Sequence, residues 1–135
     1  MGKLRHIAIT SSDPHAAARF YQDTFGMREV WNRDIGVMLT DGTVSLALLR
    51  FPSDEMAGDE RGKDFFGLHH IGFVAEDLDA AANAAEANGG HYHMQLPPVE
   101  GASPEDTEHK YRDPDGVVFD IVNVSYATGS WGAAI

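Results

Sequence analysis

The chain has 135 residues, no cysteine, and 21 acidic against 10 basic side chains, for a net charge of −11. A single domain of this size buries a core without staples, the missing thiols exclude disulfides and thiolate metal sites, and the acidity argues against nucleic acid or an anionic membrane as partner. No apolar run approaches the roughly 20 residues that span a bilayer, and the N-terminus lacks a signal-peptide core, so a cytoplasmic setting is expected.

Residues 4–10 read as a short strand. Asp13 then supplies a helix N-cap and Pro14 the first helical position. Ala17, Phe20, Tyr21 and Phe25 recur at helical spacing before Gly26 closes the helix. Strands follow at 28–33, 36–40 and 43–51, the last two joined by an Asp41-Gly42 turn. After a linker at 52–67 the opening of the chain returns. Leu4, His6, Ile7, Asp13, Ala16, Ala17, Ala18 and Gly26 each meet an identical residue 64 positions later, so that residues 4–26 recur as 68–90 without a gap. In this second copy Asp77 or Asp79 caps an alanine-rich helix that stops at Asn88-Gly89-Gly90, and strands are expected at 91–95, 109–112 and 117–124. The last two are joined by Asp113-Pro114-Asp115-Gly116.

The predicted fold is therefore α+β and a single domain over 1–135. It consists of two tandem β-α-β-β-β modules, about 4–51 and 68–124, forming one curved, partly closed mixed β-sheet cup. The loop 96–108, with three prolines, is long enough to be a functional lid. The acidic stretches 54–64 and 100–108 read as solvated loops, and 125–135 as a loose tail.

The repeat places a histidine at the same point of each module. Along the first strand Ile7 and Ile9 share one face, while His6, Ala8 and Thr10 share the other. His70 and Gly72 repeat this opposite Ile71 and Phe73. The bulky face packs under the helix, so His6 and His70 project from the concave face beside small neighbours. On the last strand Phe119 and Ile121 belong to the bulky face and Asp120 points the other way. A carboxylate in so apolar a strand needs a partner. Two imidazoles and one carboxylate on a shared concave surface form the facial triad suited to Fe(II), and also hold Mn, Zn or Ni, with positions left open for substrate. His91 and His93 share a strand face but read as an exposed edge. His69 is expected on the helix side and His15 in the first turn of a helix.

The paired modules, "LRHIAI" with "LHHIGF", "FYQDTFGM" and "YRDPDGVVFDIV" together resemble the vicinal oxygen chelate superfamily, which includes glyoxalase I, extradiol dioxygenases, methylmalonyl-CoA epimerase and bleomycin resistance proteins. The resemblance spans nearly all of 4–124. It implies metal ligation by His6, His70 and Asp120, with Asp in place of the usual Glu. Some members add a fourth, acidic ligand on the last strand of the first module. Counting from turn to turn puts that position at Leu46, beside Ala47 and Leu48, so a three-ligand, dioxygenase-like site is expected. The dioxygenase tyrosine falls at Lys110. Tyr111, one place on, and His109 are the candidates for acid–base work.

The implied function is a metal-dependent dioxygenase or lyase, with Fe(II) the favoured cofactor, that chelates adjacent oxygens of a small-molecule substrate. The alternative is a metal-free drug- or metabolite-binding protein of the bleomycin-resistance kind. Exposed sheet edges further imply a homodimer.

Overall fold

A computed structural model describes residues 2–58, 61–98 and 100–135. Positions 59 and 60 of the acidic stretch and position 99 of the long loop lie outside the described residues. Eight strands form one mixed, open sheet: β1 (Lys3–Thr10), β2 (Arg28–Arg33), β3 (Gly36–Thr40), β4 (Ser45–Leu49), β5 (Gly67–Val74), β6 (His91–Gln95), β7 (His109–Arg112) and β8 (Val118–Val122). Their spatial order is β2-β3-β4-β1-β5-β8-β7-β6. Each module closes on itself through a parallel pair, β1 with β4 and β5 with β8, and the modules join through antiparallel β1 and β5.

The helices start where the sequence places them. α1 (Pro14–Phe25) is capped by Asp13, whose carboxylate accepts from Ala16 N, and α3 (Leu78–Ala87) by Asp77, accepting from Ala80 N. Gly26 ends α1 at φ 68°, a left-handed conformation that other residues adopt at a cost. α1 packs on the convex face of the first module, where Ala18, Val37, Leu39 and Leu48 form a core. α3 covers Tyr111, Phe119 and Ile121 of the second.

The central pairing is symmetric about Ile7 and Ile71, which face each other; His6 pairs with Gly72 and His70 with Ala8. A pseudo-twofold axis thus passes between the modules. Both strands bulge at equivalent points, since the register skips Arg5 on β1 and His69 on β5. A bulge puts an extra residue on one strand and re-aims its side chain. Here each bulge immediately precedes a ligand candidate.

Two segments expected to be featureless are structured. The linker contains the single turn α2 (Asp54–Ala57), capped by Ser53. The tail, expected to be loose, forms α4 (Val124–Tyr126), which widens into a π-helical turn over Ala127–Trp131. Ala127 and Trp131 are fully buried on the concave side with Ala8, Met38 and Ala47. The apolar concave face explains this ordering: left open, it would expose the whole surface of that half of the cup.

The linker and the tail occupy equivalent places, each following the last strand of its module. The two bulge residues hold them: Arg5 Nε donates to Ala134 O at 2.8 Å, and His69 Nε2 to Ala57 O at 2.7 Å.

Candidate metal centre

Parallel pairing of β5 with β8 sets Gly72 opposite Asp120, one strand away from His6 and two residues along from His70. The result is convergence. One ligand atom from each of His6, His70 and Asp120 lies within 4.8 Å of the others, and all three residues are buried. Gly72 leaves the space for this. A Cβ there would stand 2.9 Å from His6 Cβ and 2.6 Å from the Trp131 ring, so the position admits no side chain.

Hydrogen bonds on the far side of each ring assign its tautomer. Ser45 Oγ donates to Arg5 O at 3.3 Å and lies 2.6 Å from His6 Nδ1, so it accepts the His6 Nδ1–H and Nε2 carries the lone pair. His69 donates from Nε2 to a carbonyl, so its neutral ring accepts at Nδ1. His70 Nδ1, 2.7 Å away, is then the donor, and His70 Nε2 also carries a lone pair. Such contacts from behind orient metal-binding imidazoles and set their basicity. The sequence reading put His69 on the helix side; the bulge turns it toward His70 instead. His6 stacks on Trp131 with ring centroids 4.4 Å apart and planes 7° off parallel. Burial, and then the neighbouring His70, push its pKa down to about 3, which keeps it neutral and able to ligate.

Asp120 is wholly buried. Its Oδ1 accepts from Lys110 Nζ at 2.7 Å, while Oδ2 lies 3.2 Å from His70 Nε2 and has no hydrogen-bond partner among the described residues. The shorter aspartate therefore reaches the histidines. An orphaned carboxylate oxygen facing imidazole lone pairs is a costly arrangement alone and a fitting one around a divalent cation. On this donor chemistry the residues present fit a metal ion.

Lys110 and Glu108 escaped the sequence reading. Lys110 Nζ also pairs with Glu108 Oε2 at 3.1 Å. Burial opposes the lysine charge, but Asp120 and Glu108 outweigh it and hold the ammonium above the ordinary lysine range. Glu108, read as part of a solvated acidic loop, is largely buried and accepts from Tyr126 OH at 3.3 Å. Burial, with Glu108 next, pushes the Tyr126 hydroxyl up. These groups line one cavity of about 170 Å³ with His6 and His70, walled by Trp31, Phe51, Met56 and Met94. Arg33 lies on its rim, with its guanidinium 4.4 Å from the Trp31 ring centroid. His93, expected on an exposed edge, lines the cavity and bonds Gly58 O at 2.6 Å, whereas His91 is exposed.

The remaining sequence candidates fall elsewhere. Tyr111 is buried under α3 on the convex face, and His109 lies on that face beside Leu78 and Ala82. Neither is brought to the triad. The counterpart of Asp120 in the first module is Ala47, not Leu46, because Ala8 pairs with Ala47 as Gly72 pairs with Asp120. The turn between β7 and β8 is one residue longer than that between β3 and β4, and a count from turn to turn slips accordingly. Ala47 offers no ligand, so no acid completes a fourth position there.

The profile of the Glyoxalase/Bleomycin resistance protein/Dioxygenase superfamily matches residues 3–121. Among solved structures the chain resembles methylmalonyl-CoA epimerase of Streptomyces coelicolor, in complex with 2-nitronate-propionyl-CoA, at 26% identity and TM-score 0.64, over 90% of this chain and 96% of that one. A hypothetical protein of Bacillus halodurans C-125 superposes with TM-score 0.68 at 21% identity, over 90% and 94% of the two chains. The Mn(II)-bound glyoxalase of Novosphingobium aromaticivorans shares the fold at TM-score 0.65 and 20% identity, over 90% of this chain and 38% of that one. No curated protein matches the sequence.

Proposed function

The chain belongs to the Glyoxalase/Bleomycin resistance protein/Dioxygenase superfamily, and we propose that it is a metal-dependent enzyme holding one divalent cation through His6, His70 and Asp120. The observation that carries this reading is the buried, orphaned Asp120 Oδ2 beside two imidazoles whose far nitrogens are already engaged. A bound divalent ion would act as Lewis acid and template for a small substrate presenting two adjacent oxygens. The chain's own residues do the rest. Trp31, Phe51 and the methionines wall the cavity, and Ser45 and His69 bond the ring nitrogens of His6 and His70 that face away from the triad.

Two reactions are compatible with three protein ligands. With Fe(II), the two-histidine, one-carboxylate set suits oxygen-dependent ring cleavage, the reaction expected from the sequence. A lyase or isomerase reaction is favoured by a different observation, the Glu108 carboxylate inside the cavity, held by Lys110 and Tyr126 where it can accept a proton from a bound substrate. The similarity to methylmalonyl-CoA epimerase supports this second reading. The free edges β2 and β6 at the two ends of the sheet support a homodimer. No helix among the described residues is long and apolar enough to cross a membrane.

The test is metal content of untagged protein, as purified and after anaerobic loading with Fe(II), Mn(II), Zn(II) or Ni(II), beside the His6→Ala/His70→Ala double variant. About one ion per chain, lost in the variant, is the expected result. Oxygen uptake with catechols in the Fe(II) form selects the first reaction; exchange of a substrate C–H with deuterated solvent, lost in Glu108→Gln, selects the second. No uptake of any ion overturns the enzyme reading and leaves metal-free sequestration.

A further inference from the structure

Lys110 lines the cavity beside the triad. Its ammonium has three N–H donors, of which two are used, on Asp120 Oδ1 and Glu108 Oε2. The third has no protein partner among the described residues, and the side chain is 11% exposed and lines the cavity. Packing alone does not require it. The strand pair that matches Lys110 and Asp120 in the first module is Met38 and Ala47, in the same antiparallel register and wholly apolar.

The charges carry the argument further. Lys110 offsets one of the two carboxylates it bonds, leaving these three side chains one negative charge in formal terms. A divalent ion on the triad would turn that into one net positive charge. Arg33, which forms no ion pair among the described residues, adds to the same sign at the solvated rim. A cavity made positive by a bound ion, with a cationic donor left over, favours an anion over a neutral ligand.

We propose that Lys110 touches the ligand, donating its third N–H to a singly charged anion that presents two adjacent oxygens at His6, His70 and Asp120. Selection for such anions is thus a property of Lys110 as well as of the triad. The inference rests on the metal reading above and deepens it by naming the ligand's charge and its second point of contact.

Calorimetric titration separates the two. Wild type, Lys110→Met and Lys110→Arg are titrated first with Mn(II), then, once loaded, with acetohydroxamate, which chelates a metal ion as a singly charged anion through adjacent oxygens. Lys110→Met is expected to bind Mn(II) at least as tightly, since a competing cation has left Asp120, yet acetohydroxamate at least about tenfold more weakly. Lys110→Arg is expected to keep acetohydroxamate binding within a few-fold. Opposite changes in the two affinities are what a merely structural lysine would not produce. Should the methionine variant fail to fold, Lys110→Gln gives the same uncharged comparison.

Equal acetohydroxamate binding with and without the lysine overturns the proposal, as does a parallel fall of both affinities, or a loaded wild type that ignores acetohydroxamate. In each case the metal reading stands. Wild type that takes up no Mn(II) overturns both.

Discussion

At the scale of single residues, the site depends on a histidine, His6, kept neutral by burial. His6 has an ordinary pKa of 6.5 and is pushed down to about 3 in the folded chain, chiefly by desolvation. Between these values the unfolded state binds a proton that the folded state refuses. Stability therefore rises with pH through this window, is unaffected by this group above 6.5, and is lost as pH falls toward 3. The loss is on the order of a few kcal/mol if the chain stays folded throughout. Urea midpoints of the metal-free protein between pH 7.5 and 4.5 check it. The gap between wild type and His6→Gln is expected to shift in the variant's favour as the solution is acidified. A gap independent of pH would show that His6 is not held neutral. The histidines were legible in the sequence because the repeat marks both, and Asp120 because it interrupts an apolar strand. Lys110 and Glu108 were not, since one sits in an ordinary alternating strand and the other ends an acidic run. Only the pairing of β7 with β8 brings them to Asp120.

At the scale of elements, period-two alternation locates side chains only while the register is unbroken. It placed His6, His70 and Asp120 on the concave face and failed at His69, where β5 bulges. The bulges connect the ligand strands to the covering segments, through Arg5 to the tail and through His69 to the linker. Caps and turns had local signals, and those elements were read within a residue or two. The tail had none, because a π-helical turn of Ala, Thr, Gly, Ser and Trp is ordered by what it covers rather than by its own propensity. Trp131 is its anchor, fully buried and stacked on His6. Trp131→Ala is expected to destabilise the protein by about 3–5 kcal/mol, the range for emptying a buried aromatic site. It should also weaken metal binding, because His6 loses the ring that fixes it. Denaturant unfolding and metal titration of the variant measure the two effects. A cost below about 1 kcal/mol would mean the tail does not cover the cup in solution.

At the scale of the whole molecule, the pseudo-twofold axis relates two halves that have taken different roles. It carries Lys110 and Asp120 onto Met38 and Ala47, and the linker onto the tail. In one half of the cup apolar residues and Trp131 make a core. In the other the same strand positions carry the charges of Lys110 and Asp120, and the cavity beside them is walled by Met38 and Ala47 as well as by Lys110. The donors span both halves, since His6 belongs to the first module and His70 and Asp120 to the second. A cation binding them would cross-link the modules, and because the chain must be folded to bring them together, binding energy becomes folding energy. At a free metal concentration 100 times the dissociation constant the gain is about 2.7 kcal/mol. For a domain of this size that is a rise in melting temperature of roughly 6–12 °C. Calorimetric scans with Mn(II), Fe(II) or Zn(II) against chelator are expected to show this rise in the wild type and none in Asp120→Ala. The variant lacks a donor from the second module, so an ion could still touch both histidines without closing the set. If wild type and variant gain the same stability, the ions are binding the acidic surface, and the cup is not where they act.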